Sequence, residues 1–100
     1  MTYVTIFGNF ELWISMLEQM PTVHTLHSIK IDVYSREHLP PHFHALYAEH
    51  EILIVIKTLK TYAGEIPKTQ YRQVIKWANE KGIKQNLLEN FYRLNPNLRK

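Results

Sequence analysis

Ile29-Lys30-Ile31-Asp32-Val33-Tyr34 alternates apolar and polar side chains without a break, and this stretch decides the fold. A period of two puts Ile29, Ile31 and Val33 on one face of an extended chain and Lys30, Asp32 and Tyr34 on the other. Ser28 to Ser35 is therefore expected to be a half-buried strand. A loop from Arg36 to Pro41 follows, stiffened by Pro40 and Pro41, and Phe43 to Ala48 reads as a second strand. The polar cluster Glu49-His50-Glu51 reads as a turn. Ile52 to Lys57, apolar on both faces, is expected inside the sheet, and Thr61 to Ile66 completes it. Connections this short imply an antiparallel meander.

Outward from the sheet, the C-terminal part reads as two helices. Pro67 suits a first helical position and Gly82 the residue past the end, while Tyr71, Val74, Ile75 and Ala78 keep the helical period. A second helix from about Lys84 to Leu94 carries Leu87, Leu88, Phe91 and Leu94 on one side, and Pro96 stops it. Upstream, residues 1–19 read as an extension, either a hairpin turning at Gly8-Asn9 or a helix from Phe10 to about Gln19. The helix is favoured, because Phe10, Trp13, Ile14 and Leu17 form a stripe at the i, i+3, i+4, i+7 spacing. Leu12 and Met16 widen that stripe, so the segment is expected to pack on its own domain or to complete a homodimer. The expected fold is α+β: a three- or four-stranded antiparallel sheet packed by two C-terminal helices on residues 20–100, plus the N-terminal helix or hairpin.

One hundred residues suit a single domain, and 45% hydrophobic with 21% charged residues suit a folded one. The absence of cysteine excludes disulfides, thiolate metal sites and a cysteine nucleophile. The longest clean apolar run, Ile52 to Ile56, is far short of the ~20 residues a bilayer needs. Residues 1–20 hold Glu11 and Glu18 but no Lys or Arg, unlike a secretory signal. A cytoplasmic chain without membrane contact is the simplest expectation. The net charge of +3 is uneven: residues 1–28 carry −2 and residues 29–100 carry +5.

His38, His42 and His44 fall within seven residues, on either side of Pro40-Pro41. Strand alternation puts His42 and His44 on one face. A pair of imidazoles can hold zinc, nickel, copper or iron if a third donor joins, with His38, Glu37, Glu49 and His50 as candidates. No cofactor is required by the sequence, but a divalent transition metal fits it. The same histidines could instead act as acid and base in a ribonuclease-like phosphodiesterase, with Arg36 or Lys57 stabilising the oxyanion. No serine lies in a nucleophile motif, and the three glycines form no phosphate loop. Lys68, Arg72 and Lys76 recur every four residues and form a ridge that could follow a nucleic-acid or other anionic backbone.

These features together resemble domain-of-unknown-function family 4160. The resemblance runs from Met20-Pro21-Thr22 through Tyr34-Ser35 and Pro41-His42-x-His44 to Glu49-x-Glu51, Ile66-Pro67 and Trp77-Ala78-Asn79-Glu80, about residues 20 to 95. It implies a small bacterial protein of undefined activity, often encoded beside a member of domain-of-unknown-function family 2442 in a toxin–antitoxin-like pair. A non-enzymatic interaction module with a protein partner is then the leading expectation. The alternative is the histidine-dependent phosphodiesterase or a metal-binding enzyme.

Overall fold

The structure, a computed structural model, describes residues 21–99. Five strands run in chain order across one antiparallel sheet: β1 Thr22–Leu26, β2 Ile29–Asp32, β3 His42–Tyr47, β4 His50–Val55 and β5 Thr61–Glu65. Helices α1 Lys68–Ala78 and α2 Ile83–Leu94 follow, and a short 3-10 helix, Pro96–Leu98, ends the described chain. The α+β class, the meander and the two helices match expectation. The strand count does not. The additional strand is β1, and the expected N-terminal helix or hairpin over residues 1–19 lies outside the described residues.

β1 has no clean alternation because its register with β2 shifts between Thr22 and His24, so Val23 and Leu26 fall out of phase. The turn joining it to β2 is His27-Ser28, with φ of 48° and 65°. Two successive left-handed residues close a tight hairpin, a job commonly given to Asn-Gly, so composition hid it. The β3–β4 turn is likewise Ala48-Glu49, with Ala48 at φ 52° and Tyr47 opposite His50. His50 and Glu51 therefore belong to β4, not to the turn expected over 49–51. A second register shift lies between Leu53 and Ile54 where β4 meets β5. There Gly64, at φ 76°, sits so close to the Glu51 carbonyl that a Cβ would overlap it.

One sheet face is the core. Ile29, Ile31, Val33, Phe43, Ala45, Ile52, Ile54 and Ile56 are buried on it, and Val74, Trp77, Ala78, Leu87 and Phe91 from the helices cover them. Each fully buried aliphatic or aromatic side chain contributes roughly 1.5–3 kcal/mol of transfer free energy, so this face dominates stability. Trp77 meets Phe43 edge-on at 6.2 Å and stacks on His24 at 4.8 Å. It is therefore a core residue. The alternate residues of β3, His42 and His44, point to the opposite face, where Asp32 and Leu53 pair with His44 and Val55 pairs with His42. Among the described residues no helix is long and apolar enough to cross a membrane.

Candidate metal centre

The loop between β2 and β3 brings Glu37 back over the face opposite the core, where it meets His42 and His44. Nε2 of His42 lies 3.2 Å from Glu37 Oε1, and Nε2 of His44 lies 2.9 Å from Glu37 Oε2. One donor atom from each of the three residues falls within 4.8 Å of the others. His42 and His44 ring centroids are 5.4 Å apart, so the pair faces one point as strand alternation implied.

The other ring nitrogens are already committed. His42 Nδ1 donates to the Pro40 carbonyl oxygen at 2.9 Å, and a carbonyl can only accept, so this nitrogen carries the proton. His44 Nδ1 lies 2.7 Å from the Glu51 carboxylate, a diagonal neighbour from β4. The residue just before β3 is itself fixed by Ile56 N–H donating to Pro41 O at 3.0 Å. His42 is 1% exposed, walled by the rings of Phe91 at 5.8 Å, Tyr62 at 5.4 Å and His38 at 5.7 Å. Despite its 3.2 Å approach to Glu37, His42 Nε2 makes no hydrogen bond. The distance is short but the direction is wrong for N–H donation, so we read this as a close contact and not a bond. A buried polar atom left this way costs about 1–3 kcal/mol, so it calls for an explanation.

Beside the pair, Asp32 is buried and accepts from the hydroxyls of Thr22 at 2.9 Å and Tyr34 at 3.0 Å. The Tyr34 ring meets His44 edge-on at 4.5 Å. Burial, then the hydrogen bond and charge of Asp32, push the Tyr34 hydroxyl up to about 12. The folded protein thus holds this proton more tightly than an unfolded chain, whose tyrosines titrate near ~10. The resulting stabilisation is complete below about pH 10 and is lost as pH rises through about 12. An alkaline titration followed by tyrosinate absorbance is expected to contain this late component, and Tyr34→Phe to lack it. Identical titration curves for the two proteins would refute the assignment.

Of the residues singled out in sequence, His42 and His44 come together, and Glu37 joins them. His38 stands beside the cluster, exposed, with Nδ1 3.3 Å from Leu39 O and 3.4 Å from the Tyr62 hydroxyl. Glu49 and His50 sit 3.6 Å apart at the far end of the β3–β4 hairpin. Lys68, Arg72 and Lys76 are exposed on α1, whose Trp77 packs on the core face, so the basic ridge and the histidines occupy separate surfaces. Sequence reasoning missed Tyr34, Glu51 and Asn95. Asn95 is buried, accepts the Glu37 N–H at 2.8 Å and donates to the carbonyls of Tyr34 at 2.8 Å and Phe91 at 2.9 Å.

Comparison with known proteins places this chain in a family. The family described as Domain of unknown function (DUF4160) matches residues 28–91, well over half of the chain. The chain belongs to DUF4160. No curated protein and no solved structure matches it. The DUF4160 match begins after β1 and ends at Phe91, so it contains Glu37, His42, His44 and Glu51 but stops short of Asn95.

Proposed function

We propose that this DUF4160 protein binds a divalent first-row transition ion, with zinc or iron(II) as the best fit, through His42 Nε2, His44 Nε2 and Glu37. One observation carries the reading: both Nε2 atoms converge on a single carboxylate while both Nδ1 atoms face oxygen acceptors. With its Nδ1 protonated, neutral His42 sets an Nε2 lone pair against the carboxylate, and a cation between them removes the conflict; His44 Nε2 stands at hydrogen-bond distance, 2.9 Å, from the same carboxylate. The acceptors behind Nδ1 are what metal-ligating histidines ordinarily have, a carbonyl for His42 and a carboxylate for His44. Metal–ligand bonds of about 2.0–2.2 Å place ligand atoms roughly 3.3 Å apart. The two histidine–carboxylate separations, 3.2 and 2.9 Å, are close to that, and all three donors lie within 4.8 Å of one another. Two imidazoles and one carboxylate leave a coordination position for water or another ligand, the arrangement of catalytic rather than closed structural sites.

The local charge supports a cation over a bare phosphate. Glu37, Glu51 and Asp32 surround the imidazoles, and among the described residues neither Arg36 nor Lys57 makes a side-chain ion pair or hydrogen bond with them. A metal-free phosphodiesterase would have to bring its anionic substrate against those carboxylates. The interaction-module reading has its own observation: Leu39 at 48% and Tyr62 at 43% exposure are large apolar side chains, and both flank the cluster. A cytoplasmic protein partner, such as the family-2442 neighbour implied by the resemblance, would meet that lip.

Titration of metal-free protein, purified without a polyhistidine tag, with zinc decides the matter. One equivalent should bind, with affinity falling on acidification because protons compete for the same nitrogens. Failure to bind zinc, cobalt or iron(II) at micromolar concentration removes the metal reading and leaves the interaction module.

A further inference from the structure

We infer that Asn95 is the positioning residue of the centre, presetting Glu37 for metal capture although it touches neither histidine. The inference rests on the metal reading above. Asn95 is 2% exposed, and its single side-chain amide uses one acceptor and two donors at once. Oδ1 accepts from Glu37 N–H at 2.8 Å, while Nδ2 donates to Tyr34 O at 2.8 Å and to Phe91 O at 2.9 Å. Two of these partners bracket the short segment that carries the carboxylate; the third is the last turn of α2.

That segment needs a clamp. Arg36, between the two bracketing residues, lies at φ 60°, a left-handed conformation that a residue with a Cβ adopts only when its surroundings hold it there. Asn95 fixes the chain on both sides of this strained step, and the Glu37 carboxylate is thereby carried to within 3.2 Å of both Nε2 atoms. Without the amide, the loop is free to relax at Arg36, and the carboxylate leaves the imidazoles. The histidines keep their places, since β3 carries both and their Nδ1 atoms are held by the Pro40 carbonyl for His42 and the Glu51 carboxylate for His44. The loss is therefore specific to the third ligand.

The test compares Asn95→Ala with Val74→Ala, a core variant on α1 that lowers stability away from the loop. Zinc affinity of Asn95→Ala should fall about 10–100-fold, the range for a residue that orients a ligand, and Val74→Ala should stay within about twofold. Cobalt(II) supplies a signature that global stability does not move. The visible spectrum of Asn95→Ala should approach that of Glu37→Gln, while Val74→Ala keeps the spectrum of the unaltered protein. Should Asn95→Ala not fold, hydrogen exchange in the unaltered protein decides: zinc should slow the Glu37 amide by at least about tenfold. Unchanged affinity and spectrum in Asn95→Ala, equal losses in both variants, or unprotected Glu37 each overturn the role of Asn95 alone. Absence of zinc and cobalt binding by the unaltered protein overturns the metal reading, and this one with it.

Discussion

Replacing Glu37 with Gln is expected to weaken zinc binding by more than about 100-fold, beyond the 10–100-fold typical of a residue that only orients a ligand. The substitution is nearly isosteric, so the fold and both imidazoles should persist. What it removes is the negative charge that faces two nitrogens at 2.9 and 3.2 Å in a partly desolvated pocket. His42→Ala and His44→Ala should lose as much, each by deleting a nitrogen donor. His38→Ala should change affinity by less than about tenfold, because its ring stands outside the close set and its Nδ1 is occupied with Leu39 O and Tyr62. Competition against a chromophoric chelator measures all four variants. A loss in His38→Ala equal to that of the others would mean that the ligand set has been drawn wrongly.

Phe91→Ala is expected to destabilise the protein by about 3–5 kcal/mol, the range for deleting a fully buried aromatic ring. Phe91 is 0% exposed, meets Tyr92 edge-on at 5.5 Å and lies 5.8 Å from His42. A domain of this size has only about 5–15 kcal/mol in total, so the variant should sit near the edge of folding. Urea unfolding with the slope held common gives the number. A loss below about 1 kcal/mol would show that the helix end can collapse into the space and that Phe91 does not hold the floor beneath His42.

Which parts of this were legible follows from how each is encoded. β2 carries its burial in its own alternation, and the helices carry theirs in a repeated stripe, so both could be read locally. β1 could not, because a register shift breaks its period and because His27-Ser28 makes a turn that composition does not announce. At the site, His42 and His44 were visible because their relation is strand parity, a property of two residues on one element. Glu37 could be named as a donor but not chosen over Glu49 or His50, since that choice depends on how the 33–41 loop folds back. Asn95 was invisible: beside Pro96 it reads as an ordinary helix stop, and its two partners in the β2–β3 loop lie 58 and 61 residues away. Glu51 was hidden by one displaced turn, which moved it from a solvent loop onto the strand facing His44.

Among the described strands, the two register shifts fall in the outer pairings, β1 with β2 and β4 with β5, while β2–β3 and β3–β4 run without interruption. An extra residue bends a strand and coils it away from flatness, and a bent margin is a poor template for a further chain. A ribbon straight in its middle and crooked at its borders therefore resists growing into fibrils by copying itself. At high concentration these molecules should associate through side-chain surfaces and not by extending a shared backbone ladder.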